Sequence, residues 1–148
     1  MDDQAMKKMI LGTVAGGITF FMLGGLIYEV ALGGFYETNV GSAIDAWREP
    51  PIWWSLVVSQ FALAAAVTFL FVRADVASPM DGMKTGAAFG LLLGAAVAFD
   101  LYGVTHLPNA TVTIVEPFVW AVRTALAGGV IAWALGMSGA GSPLPAGE

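Results

Sequence analysis

Cysteine is absent from this chain of 148 residues, which excludes disulfides, thiolate metal sites and cysteine nucleophiles. Histidine occurs once, as His106, so there is no second imidazole with which to build a metal site. In its short connection, Thr105-His106-Leu107-Pro108-Asn109, it reads as a solvated loop residue. Charge is scarce as well. Charged residues make up 11% of the chain, with 6 Lys and Arg against 11 Asp and Glu for a net charge of -5. No basic cluster is available to release counterions from phosphate, so nucleic acid is excluded as a partner.

What fills the chain is apolar. Hydrophobic residues make up 57% of it and mean hydropathy is +0.77, too little polar surface to cover a soluble globule of this size. Four runs, 10–33, 52–72, 85–104 and 111–136, are each close to the roughly 20 residues that cross about 30 Å of hydrocarbon. The expected fold is an all-α integral membrane bundle of four transmembrane helices over residues 1–137. No soluble domain accompanies it, and the 138–148 tail reads as disordered. The lipid bilayer is the one partner that composition implies.

Orientation follows from the few basic residues. Lys7 and Lys8 precede span 1 and Arg73 and Lys84 flank the connection between spans 2 and 3, while the opposite loops carry only Arg48. Both termini should face the cytoplasm. Span 1 is too long for a signal-peptide core and lacks an A-x-A-like cleavage site, so it reads as an uncleaved span. Tyr28, Tyr102, Trp120, Trp47, Trp53 and Trp54 read as aromatics of the outer interface. The 35–51 segment reads as an outer loop with a short surface helix at most.

Glycine is abundant and reads as packing. Gly86, Gly90 and Gly94 form a small-xxx-small ladder on span 3, and Gly12, Gly16, Gly17, Gly24 and Gly25 thin span 1; such ladders let backbones approach where lipid supplies no hydrophobic drive. No strand-turn-helix context makes any of them a phosphate loop.

A short internal similarity links the two halves. Gly24-Gly25-Leu26-Ile27-Tyr28-Glu29-Val30 parallels Ala95-Ala96-Val97-Ala98-Phe99-Asp100-Leu101, and Glu49-Pro50-Pro51-Ile52-Trp53 parallels Glu116-Pro117-Phe118-Val119-Trp120. Two matches in the same order suggest tandem hairpins running in the same sense through the bilayer. Glu49 would then correspond to Glu116, and Glu29 to Asp100. Two starts of span 4 are open: a helix beginning near Pro117 with Glu116 at its positive end, or one beginning at Thr111 with Pro117 inside it.

Chemistry is concentrated at four residues. Arg123 lies near the middle of span 4, where a guanidinium costs at least about 2.5 kcal/mol unless a carboxylate or a water-filled cavity accompanies it. Glu29, Asp100 and Glu116 are the candidate carboxylates. Glu116 and Arg123 are seven residues apart, which returns to nearly the same helix face with about 10 Å of rise. The expectation is a polar cluster in which Arg123 pairs with Asp100 or Glu116, either as a structural tie or as a contact for an anion or substrate.

At these residues a resemblance enters. Phe35-Tyr36 followed by Val40-Gly41, then Gly86-Ala87-Ala88-Phe89-Gly90-Leu91, Phe99-Asp100-Leu101 and Thr113-Ile114-Val115-Glu116 with Trp120 resemble small bacterial four-span inner-membrane proteins of unknown function. That family has an F-Y-x-x-x-L-G element after span 1, Y-D-L-T-N at the end of span 3 and T-L-V-D opening span 4, so Asp100 and Glu116 match its acids. Gly103 stands where the family has Asn, and its acid near Gly24 is missing. The resemblance implies a bacterial inner-membrane location and a fold, with no activity.

Three function classes follow. One is small-solute or ion translocation through the polar cluster, with the protein acting as an oligomer. Another is a non-catalytic scaffold or accessory subunit packing against a membrane-protein partner. The least supported is an enzyme, because there is no Ser/His/Asp set, no metal constellation and no cofactor motif.

Overall fold

The computed structural model describes residues 3–43 and 48–139; side chains are described up to residue 137. Its helices are α1 (Asp3–Gly24), continued by a π-helical turn (Gly25–Ala31), α2 (Gly33–Thr38), α3 (Trp53–Arg73), α4 (Pro79–Val104) and α5 (Ala110–Gly139). Four of these are long and apolar enough to cross a membrane: α1 with its π turn, α3, α4 and α5. The chain is an all-α four-helix bundle of multi-pass membrane type. α5 carries the chain to Gly139, two residues into the segment read as a disordered tail; the rest of that tail, and Trp47, lie outside the described residues.

Local chemistry sets the helix ends. Ser78 caps α4 by accepting from the Asp81 N–H at 3.4 Å, with Pro79 in the first turn, where its missing N–H costs nothing. Asn109 does the same for α5, its Oδ1 accepting from the Val112 N–H at 2.9 Å. α3 ends on Arg73, favourable at the negative helix end, and the chain turns at Asp75, whose φ of 53° is left-handed. α5 adopts the longer of the two starts considered for span 4. Pro117 is inside the helix, so the Thr113 carbonyl lacks its usual intrahelical donor.

α1 packs against both α3 and α5, and α4 packs against α5. Phe20 of α1, Ala64, Val67 and Phe71 of α3, and Ala127, Ile131, Ala132 and Leu135 of α5 form one buried core. Glycines set the interhelical distances. A Cβ on Gly82 would stand 2.5 Å from the Gly128 carbonyl oxygen, one on Gly90 2.5 Å from the Trp120 carbonyl oxygen, and one on Gly86 would meet the Thr124 carbonyl. The ladder read at Gly86, Gly90 and Gly94 is therefore a backbone-to-backbone contact between α4 and α5, extended by Gly82 and Gly128. Gly12 and Gly16 make room at the α1 junction for side chains instead, Thr68 and Leu135 at the first and Ile131 and Ala64 at the second. The remaining surface is strongly apolar, with residues such as Leu92 and Phe118 exposed, as lipid contact requires.

At one end of the bundle, hereafter the loop end, two connections meet. The Gly41 N–H donates to the Leu107 carbonyl at 2.8 Å and the Ala43 N–H to the His106 carbonyl at 3.3 Å; Val40 and Pro108 form an isolated antiparallel bridge. Only glycine fits at 41, because a Cβ there would run into the His106 carbonyl.

Candidate functional site

Arg123 projects from α5 into the junction with α1 and α3 and is 5% exposed. Its Nη2 donates to the Phe20 carbonyl at 3.0 Å and to Oε1 of Gln60. Its guanidinium carbon stands 5.5 Å from the Phe20 ring centroid and 5.7 Å from that of Tyr28, so two aromatic faces share its charge. Gly24 makes room for it: a Cβ there would lie 3.1 Å from Nη2. Nε is buried and finds no hydrogen-bond partner among the described residues.

The expected ion pair is not formed. No carboxylate oxygen of Glu29, Asp100 or Glu116 comes within 4.0 Å of Arg123. The physical reason is that Glu116 is already satisfied by neutral donors. Tyr28 Oη donates to Glu116 Oε1 at 2.7 Å, Trp120 Nε1 donates to the same oxygen at 3.0 Å, and Tyr36 Oη donates to Oε2. Three donors therefore fill both oxygens of the one carboxylate. Tyr36 stands outside the spans; burial and the Glu116 carboxylate raise its phenol well above the ordinary tyrosine range.

Glu29 and Asp100 do not join this set, and both are exposed. Glu29 belongs to the π turn that carries Tyr28 inward, which sends its own side chain away from the junction. Asp100 is on α4, whose packed face is the glycine ladder. Glu49 and Glu116 also differ in surroundings: Glu49 is exposed ahead of α3, whereas Glu116 lies within α5 under Tyr28 and Tyr36. Of the four residues singled out in the sequence, the fold brings Glu116 and Arg123 to one helix face and leaves Tyr28 between them.

Three partners escaped the sequence reading. Gln60 was legible as an amide inside an apolar run. Tyr36 lies in a segment whose sequence reads as a loop, and Phe20 acts through its carbonyl, for which the side chain gives no signal. A second buried atom without a partner, Thr68 Oγ1, is separated from Arg123 along the junction by Ala64, Val67 and Ile131 of the core.

The loop end also carries a cavity of about 580 Å³ lined by Ser42, Tyr102, Thr105, His106 and Asn109, among others; none of the Glu116 or Arg123 partners lines it. Among the described residues, no group of three or more His, Asp or Glu side chains is placed to hold a metal ion. The chain matches no protein-family model, no curated protein and no solved structure.

Proposed function

We propose that the protein is a multi-pass membrane protein that binds a small anion at Arg123 and passes it across the bilayer. One observation carries this reading: among the described residues, a guanidinium buried at mid-span is held only by neutral acceptors and ring faces, so none of them gives its charge a direct counter-ion. Stranding a charge in that way costs several kcal/mol, of the order of about 3 to 5 when a buried pair is broken. A neutral residue would hold the helices together more cheaply, and intramembrane cations are kept where an ion or substrate uses them. Glu116, hydrogen-bonded by Tyr28, Tyr36 and Trp120, stays clear of Arg123 and sets the polarity of the approach to it.

The setting belongs to the same proposal. The distribution of Lys7, Lys8, Arg73 and Lys84 and the resemblance to four-span bacterial proteins support the inner membrane, with both termini cytoplasmic and the loop end outside. The anion then approaches Arg123 from outside past Glu116. The two-hairpin similarity around Glu29 and Asp100 is consistent with a duplicated origin, and pairing of two copies in the membrane would complete a pathway.

A second reading is favoured by the saturation of Glu116, both of whose oxygens are occupied from within the chain. In that reading the network locks the bundle and the protein serves as a scaffold or accessory subunit. Proteoliposomes separate the two. Wild-type protein should carry a radiolabelled small anion such as chloride, acetate or phosphate, and Arg123→Gln should abolish the flux. Absence of flux for all three anions favours the scaffold.

A further inference from the structure

The chain between α1 and the Gly41 contact crosses the loop end as a strap. It leaves the π turn at Leu32, forms α2, and continues to the point where Gly41 and Ala43 bond to the 106–107 backbone. α2 contributes no buried residue, so little apolar burial holds it down. Its one side-chain bond into the site is Tyr36 Oη to Glu116. The Tyr36 ring rests on Tyr28, with centroids 5.2 Å apart. Further along, Asn109 Nδ2 donates to Asn39 Oδ1 at 3.3 Å.

Two features suit this strap to motion. Gly33 and Gly34 begin it, and neither is required by packing: a Cβ on Gly34 would meet nothing within 4 Å, and one on Gly33 only the Tyr28 carbonyl oxygen at 3.5 Å. Backbone freedom is what two adjacent glycines contribute there. The preceding π-helical turn is a geometry found in single turns at functional sites. Access to Arg123 also depends on this end. On its other side, the α1–α3–α5 junction is filled by Phe20, Val67, Phe71, Ile131 and Leu135, all buried.

We infer that residues 33–39 form a hinged gate over the Arg123 site, pivoting at Gly33–Gly34 and latched by the hydrogen bond from Tyr36 to Glu116, with the Gly41 and Ala43 backbone bonds as its fixed far end. The gate regulates the site proposed above and rests on that reading for its purpose, but its motion is measurable without any solute. Opening swings Tyr36 off Glu116, water takes the vacated Oε2, and the helix face that carries Glu116, Val119 and Arg123 becomes reachable from the loop end.

The absence of cysteine supplies the assay. Val119 is buried and lies between Glu116 and Arg123 on the same helical stripe, three residues from one and four from the other. A thiol introduced by Val119→Cys should react slowly with an impermeant charged methanethiosulfonate. Adding Tyr36→Phe should raise the rate about tenfold or more, the factor that matches loss of one hydrogen bond to a charged group. Unmodified protein gives a second measurement: the amides of Tyr36 and Asn39 should exchange hydrogen faster than those of 119–124 in α5. A rate indifferent to Tyr36→Phe, or equal protection of strap and α5, overturns the gate. Gated labelling without anion flux overturns the translocation reading alone, and flux with ungated labelling overturns the gate alone.

Discussion

Tyr28 stands between Glu116 and Arg123: its hydroxyl donates to the carboxylate at 2.7 Å while its ring lies 5.7 Å from the guanidinium carbon. One side chain thus serves the anion through its polar tip and the cation through its face. Tyr28→Phe removes the first service and keeps the second. It should cost about 1.5 to 3 kcal/mol, the range for a hydrogen bond to a charged group, measured as unfolding in detergent. Tyr28→Leu should cost more, because it also removes the ring from Arg123.

The partners of Arg123 are tested by compensation. Arg123→Leu leaves the Gln60 oxygen and the Phe20 carbonyl without their donor, each at about 1 to 3 kcal/mol. Adding Gln60→Leu should recover about 1 to 3 kcal/mol by removing one stranded group. Adding Asp100→Asn should recover nothing, since Asp100 is exposed on α4. Recovery by Asp100→Asn and none by Gln60→Leu would restore the ion pair expected from the sequence.

The glycine ladder makes a sharper stability prediction. Gly90→Ala places a methyl group 2.5 Å from the Trp120 carbonyl oxygen, so α4 must move off α5 at a cost of about 1 to 3 kcal/mol or more. Gly103→Ala is the control, because a Cβ there meets nothing within 4 Å. It should be neutral or slightly stabilising. Thermal unfolding of the two variants in the same detergent compares them directly.

Much of this was legible before the fold. Arg123 and Glu116 drew notice because charge is costly inside an apolar run, and their seven-residue spacing placed them on one face. The α4 ladder was visible as Gly86, Gly90 and Gly94. What periodicity could not convey was the π turn, which adds a backbone offset after Gly24 and rotates Tyr28 inward and Glu29 outward. Opposite charge is the stronger partner, which points to carboxylates and gives a neutral amide such as Gln60 no weight, yet Glu116 is occupied by two tyrosines and an indole. Tyr36 belongs to a short helix with no periodic signal of its own.

The Tyr36 latch has a defined pH response. Its phenol is raised by burial and by Glu116, with Tyr28 the other titratable group against it. A raised pKa means that the latch contributes its full stability below the ordinary tyrosine value of about 10 and loses it only as pH climbs through the raised one. Labelling of the Val119→Cys thiol, corrected for reagent chemistry with an exposed cysteine, should therefore be flat up to about pH 10. A rise beginning near neutrality would place the latch on another group.

Topology is open to the same chemistry. Single cysteines at Ser42 and Ser78, both exposed, should behave oppositely in intact cells: Ser42→Cys reacts with an impermeant reagent and Ser78→Cys does not. The reverse pattern would put the loop end, and the approach to Arg123, on the cytoplasmic side.

The anion site itself is most directly read at Arg123 Nε, the guanidinium nitrogen that is buried without a partner among the described residues. The measurement is the ¹⁵Nε–¹Hε resonance of Arg123, assigned by its loss in Arg123→Lys, followed in nanodiscs while chloride, acetate or phosphate is titrated at constant ionic strength. A saturable shift with at least one of the three, absent from the other arginine resonances, is the predicted result. An Arg123 resonance that stays fixed through all three titrations, with Tyr36→Phe present to hold the gate open, would contradict an anion site at Arg123.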